Sequence, residues 1–111
     1  MATADRNDIV IVVTNMPDSG AAMRLAELLI GERCAACVNI LAECTSVYRW
    51  EGALTKATEV PLLIKTTTAN YSKIEDRIRA NHPYALPEIL SIPVAAGLPA
   101  YLEWVRTESA A

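Results

Sequence analysis

A chain of 111 residues that is 52% apolar by composition has room for one domain, residues 1–111, with a core that needs no staples. Its formal net charge of −3 and the lack of any basic cluster exclude a surface that tracks a phosphate backbone, and so a nucleic-acid partner. No run approaches the roughly 18 apolar residues of a membrane span, and residues 1–8 lack a leader's apolar core. With three cysteines, an odd number suited to a reducing compartment, the chain reads as cytoplasmic.

Residues 9–13 form a continuous β-branched run, the pattern of a strand covered on both faces. Asn15-Met16-Pro17-Asp18 follows as a turn, with Asp18 or Ser19 placed to cap a helix. Ala22, Leu25, Ala26 and Leu29 then recur at helical spacing, with Arg24, Glu27 and Gly31 opposite, and the helix ends near residues 31–33. Residues 36–50 read as one long extended segment with an irregularity near Ala42-Glu43. Glu51-Gly52 supplies a turn, and residues 59–67 form the returning strand. Two arms of this length exceed the usual strand of about five or six residues, so the hairpin's far end calls for cover from a neighbouring subunit.

A second helix spans residues 69–81, with Tyr71, Ile74 and Ile78 as its apolar stripe and Glu75–Arg79 as a correctly oriented ion pair. The connector His82-Pro83-Tyr84-Ala85-Leu86-Pro87-Glu88-Ile89 comes next and holds the single histidine. Each proline fixes its own φ and pushes the preceding residue out of the helical region, which makes this a stiff loop suited to presenting side chains. Residues 87–95 give a last strand, with Pro93 pointing to an edge or a bulge. Pro99 opens a final helix whose Leu98, Tyr101, Leu102 and Val105 share one face. The order β-α-β-β-α-β plus a C-terminal helix predicts an α+β, ferredoxin-like sandwich, one antiparallel sheet with two helices on one face. Val60, Leu62 and Ile64 against Leu63 leave apolar side chains on both sheet faces, again asking for an oligomer.

Five blocks in this order carry a family resemblance. They are Ala35-Ala36-Cys37-Val38-Asn39-Ile40, Thr45-Ser46-Val47-Tyr48-Arg49-Trp50-Glu51-Gly52, Leu63-Ile64-Lys65-Thr66-Thr67, His82-Pro83-Tyr84 with Pro87-Glu88-Ile89, and Gly97-Leu98-Pro99-Ala100-Tyr101-Leu102 with Trp104. Together they resemble the CutA family of divalent-cation tolerance proteins. The resemblance implies the ferredoxin-like fold, a tight homotrimer whose hairpins reach neighbouring subunits, and a link to tolerance of copper and other divalent metals. The chain departs from it where Ala85 replaces a glutamate common in the family, and where Val13, Arg77 and Asn81 replace cysteine or histidine of some members. Cys37 and His82 alone match the family's metal-ligand types.

Thiolate and imidazole suit Cu(II) or another divalent metal, so Cys37 and His82 are the candidate ligands, with Glu88 or a neighbouring subunit completing the set. The competing reading is a buried thiol and a loop histidine satisfied by backbone hydrogen bonds. Cys34-Ala35-Ala36-Cys37 is a CxxC, but it follows a helix, where the dipole makes Cys34 a poor thiolate, so a redox role is not expected. Tyr48, Trp50, Lys65, Tyr84 and Glu88 are the candidate lining of an inter-subunit cleft for a small molecule, against a reading in which they simply pack. Catalysis has little to stand on, with one histidine and no phosphate loop. The chain thus reads as a trimeric metal-binding, ligand-sensing or signalling protein. The alternatives are an enzyme using Lys65 and Glu88 in that cleft, or a trimeric scaffold anchoring a partner protein. Trimeric ferredoxin-like sensors of small ligands offer an architectural analogy.

Overall fold

The computed structural model describes residues 5–6 and 8–110; of the N-terminal stretch 1–8, residues 1–4 and 7 lie outside the described residues. Strand β1 (Ile9–Met16) runs three residues beyond the expected stretch, because its ladder with the later strand continues to Met16 opposite Val60. The turn is therefore confined to Pro17 and Asp18, where proline cannot donate to the ladder. Asp18 is the N-cap of α1 (Ser19–Gly31), its Oδ1 accepting from the Ala21 amide at 2.8 Å. The helix buries Ala22, Leu25, Ala26 and Leu29, the stripe its spacing predicts. It ends where Arg33 turns left-handed at φ 58°, returning the Arg33 and Cys34 amides to the carbonyls of Ile30 and Leu29.

The extended segment divides into β2 (Cys37–Ile40) and β3 (Cys44–Trp50), both paired antiparallel with β4 (Ala53–Thr67). The break is a bulge. Ile40 lies opposite Leu62 and Cys44 opposite Glu59, so three residues (41–43) face two (60–61). Pro61 sits at this point of a central strand, a position a bulge tolerates. Glu51 (φ 49°) and Gly52 (φ 81°) form the two-residue turn, whose twist matches the flanking strands. Strand β4 begins at Ala53 rather than near residue 59, since pairing with β3 holds its polar, mostly exposed first half without burial.

A 3-10 turn (Thr68–Asn70) leads into α2 (Tyr71–Asn81), which buries Ile74 and Ile78. The expected Glu75–Arg79 pair does not form. Glu75 instead accepts from the Tyr71 hydroxyl at 3.1 Å, and Arg77 bridges α2 to Glu32 beside α1 at 2.6 Å. Strand β5 (Ile89–Pro93) pairs with β1 at the sheet edge and stops at Pro93, and α3 (Pro99–Glu108) follows.

The sheet order is β2-β4-β1-β5, with β3 extending the β4 ladder beyond the sheet. Val10, Val12 and Met16 of β1 and Val60, Leu62 and Ile64 of β4 face the α1 and α2 side chains and make the core. On the opposite face Ile11, Val13 and Leu63 are half-buried. Helix α3 lies over one end of that face, where the Ile9–Thr67 pair is buried. Leu90 at 54% and Ile92 at 49% exposure leave the rest of it uncovered. The molecule is thus α+β, with an antiparallel sheet and a projecting hairpin.

Candidate functional site

The bulge decides which side chains meet at the hairpin root. Side chains alternate faces along a strand, so Cys37 and Asn39 of β2 point away from α1 and α2, while Val38 and Ile40 pack against the core. The one extra residue shifts this alternation, and Ser46, Tyr48 and Trp50 of β3 come to the same face as Glu59 of β4. Without it the aromatic side chains would lie on the other face of the hairpin.

The connector from α2 to β5 closes the other side. His82 leaves α2 in extended conformation (φ −103°, ψ 132°), as the proline after it requires. Its Nε2 lies 2.6 Å from the Asn15 carbonyl, an acceptor only, so Nε2 carries the hydrogen and donates. Its Nδ1 accepts from the Tyr84 amide at 3.1 Å, and the Tyr84 ring lies against it, tilted by 56°, at 4.6 Å between centroids. Both ring nitrogens are therefore engaged. The geometry explains the partner. The Pro61 carbonyl is taken by Leu41 on the β2 side, so its pair-mate Asn15 points its backbone groups toward β5. That ladder has already ended at Thr14 opposite Ile89, and the imidazole takes the place of the missing strand. Glu88 is anchored here as well: its carbonyl accepts from the Thr14 hydroxyl at 2.7 Å, and its Oε2 from the Asn15 side-chain amide at 3.0 Å.

Between the hairpin root and residues 84–90 lies a cleft of about 950 Å³, lined among others by Tyr48, Trp50, Tyr84 and Glu88. It falls within the size range of small-molecule sites. Asn15, Ser46 and Glu59 also line it, three residues that the sequence reading missed. A signal existed for Glu59, a carboxylate entering an otherwise apolar strand. Asn15 was masked by its proximity to Pro17. Burial, then the Glu59 charge, then Tyr48 hold the Tyr84 phenol above the usual tyrosine range.

The structure separates Lys65 from this group. Lys65 stands six residues along β4 from Glu59, roughly 20 Å at the rise of a strand. There its ammonium lies 5.8 Å from the Tyr101 ring centroid on α3. A Lys65–Glu88 acid–base pair is accordingly not assembled within one chain. Cys37 lies opposite Lys65, whereas His82 is fixed at Asn15. Four residues along the strands and two strand spacings across put them well over ~10 Å apart, too far to share one ion in a single chain. Among the described residues no three His, Cys, Asp or Glu side chains converge on a metal-sized site. In the CxxC, Cys34 is fully buried and donates to the Leu29 carbonyl at 3.3 Å. Burial is the largest cause of its raised thiol pKa, ahead of neighbouring charges.

An antiparallel α+β sandwich with a ligand-sized cleft at the root of an overlong hairpin is the class that fold and site define. The sequence matches the family described as CutA1 divalent ion tolerance protein over residues 10–108. It is 44% identical over 96 residues to the divalent-cation tolerance protein CutA of Thermus thermophilus, covering 86% of this chain and 93% of that one. The structure superposes on CutA from Xylella fastidiosa with a TM-score of 0.90 and 39% identity, over 93% of this chain and 99% of that one. It also matches a protein of Archaeoglobus fulgidus, described as a periplasmic divalent cation tolerance protein, at TM-score 0.89 and 31% identity, over 92% and 99% of the two chains. The chain belongs to the CutA1 divalent ion tolerance family.

Proposed function

We propose that this protein serves divalent-metal tolerance as a cytoplasmic, ligand-sensing homotrimer of ferredoxin-like protomers, rather than as an enzyme or a metal store. The observation that carries this reading is the cleft itself. It joins Tyr48 and Trp50 on the hairpin to Tyr84 and Glu88 on the stiff connector, so that occupancy is felt by the element positioned to touch a neighbour. The hairpin supports the assembly: Val47 and Leu54 are 59% and 72% exposed, and a lone two-stranded ribbon is marginal without cover. The sheet order β5-β1-β4-β2 is that of two interleaved βαβ halves, which supports the ferredoxin-like assignment. No helix among the described residues is long and apolar enough to cross a membrane.

On this reading the connection to copper runs through the cleft's ligand. Direct capture of Cu(II) by Cys37 and His82 would need two chains and a broken pair of hydrogen bonds at the imidazole. Calorimetric titration of Cu(II) and Zn(II) into wild type, Cys37→Ser and His82→Ala tests it. The expected result is that any micromolar affinity changes by less than about twofold in both variants. A loss of about tenfold or more in either, with the fold intact, would replace this reading with direct binding at those residues.

A further inference from the structure

Glu59 is the least accommodated polar side chain of the molecule. It is 7% exposed, followed directly by Val60 at 3%, and lines the cleft. Among the described residues its carboxylate meets no hydrogen-bond donor and no cation. No fully buried side-chain oxygen among those residues is without a partner, so the Glu59 oxygens keep their remaining contact open to the cleft. A carboxylate that has given up most of its water without a counter-charge is costly, and such groups are normally paired.

Among the described residues no cation lies within ion-pair distance of Glu59. Glu88 adds a second carboxylate to the same cleft, held by Asn15. Arg49 is the one basic residue of the lining. It is paired with Leu54 on the face opposite Tyr48 and Trp50, and it donates to the Gly52 carbonyl at 3.4 Å. Burial first, and then the Glu59 charge, raise the Tyr84 pKa, which places the carboxylate close to that ring. The walls are Tyr48, Trp50 and Tyr84, whose ring faces attract positive charge.

We propose that the cleft takes an organic cation, an ammonium group carried on an apolar body, with Glu59 as its counter-ion and Tyr48, Trp50 and Tyr84 as its aromatic walls. The proposal rests on the cleft being a ligand site, as argued above. A neutral guest leaves Glu59 without its counter-charge, and an anion meets two carboxylates. A soft metal ion asks for thiolate or imidazole, which the lining does not offer, and a hard one for converging carboxylates, of which the lining has only Glu59 and Glu88. A small ammonium needs one carboxylate and aromatic faces.

The test compares choline with its neutral carbon isostere 3,3-dimethylbutan-1-ol on the full-length protein. Trp50 fluorescence is read in a Trp104→Phe background. Choline is expected to give a saturable change, with the alcohol weaker by about tenfold or more. Glu59→Gln is expected to remove about tenfold of the choline affinity while leaving the alcohol unchanged, and Glu88→Gln to remove about threefold. Equal binding of choline and the alcohol overturns the cation assignment while leaving the cleft a ligand site. No saturable response to either overturns both. The comparison of choline with the alcohol needs only the Trp104→Phe protein to fold. If choline leaves wild type unchanged while Glu59→Gln alters the oligomer, the carboxylate pairs with a neighbouring chain's cation and the proposal fails.

Discussion

The three cysteines show how far residue chemistry follows from position. Cys34 is buried behind the end of α1, Cys37 is half-buried on β2, and Cys44 is exposed at the start of β3. Because burial favours the neutral thiol, the raised Cys34 stays protonated where an ordinary thiol begins to ionise near its reference pKa of 9.0. A disulfide reagent should therefore label the exposed Cys44 in the native protein and leave Cys34 unlabelled until the protein unfolds. Peptide mass spectrometry checks the order, and native labelling of Cys34 ahead of Cys44 would contradict it. His82 marks the limit of legibility at this scale. Its stiff setting could be read from the prolines beside it. Its partner Asn15 could not, because the two lie 67 positions apart and only the β1–β5 register brings them together. The same holds for Glu59, whose lack of a partner emerges only once Tyr84 and Glu88 are folded against it.

Among the elements, α1 and the core strands were legible because burial imposes its own period: 3.6 residues for the Ala22–Leu29 stripe, two for Val60, Leu62 and Ile64. Glu75 and Arg79 had the right spacing, but Glu75 accepts from the Tyr71 hydroxyl instead, and the ion pair that α2 makes runs from Arg77 to Glu32. The first half of β4 carries no apolar period, and cross-strand pairing alone defines it. Helix α1 depends on a single side-chain cap, since no acidic residue supports its first turn. Asp18→Ala should therefore cost about 1 kcal/mol of stability. Denaturant unfolding at one fixed protein concentration measures this, because assembly otherwise contributes to the apparent value. A change indistinguishable from zero would show that tertiary packing of α1 makes the cap redundant.

For the whole molecule, the radius of gyration is 14.6 Å, against about 13 Å for a compact chain of this length. The projecting hairpin accounts for the excess. Leu90 and Ile92 lie exposed on the same sheet face, so two separate surfaces ask for cover. Light scattering during size exclusion should find three times the chain mass. A stable monomer at micromolar concentration would contradict the assembly and leave the hairpin unexplained.

The strand β4 also sets an order of events for the folding chain. It meets β3 through a two-residue turn, but meets β1 only when positions 16 and 60 come together, and β5 joins only when positions 14 and 89 do. A hairpin closes in microseconds, whereas pairings of such separation come late. One wall of the cleft is therefore in place while the other is still being synthesised, and the ribbon's free edge is exposed to other nascent chains in the interval. Arg49, Glu51 and Lys56, near the tip, are the charges that discourage such edge-to-edge pairing.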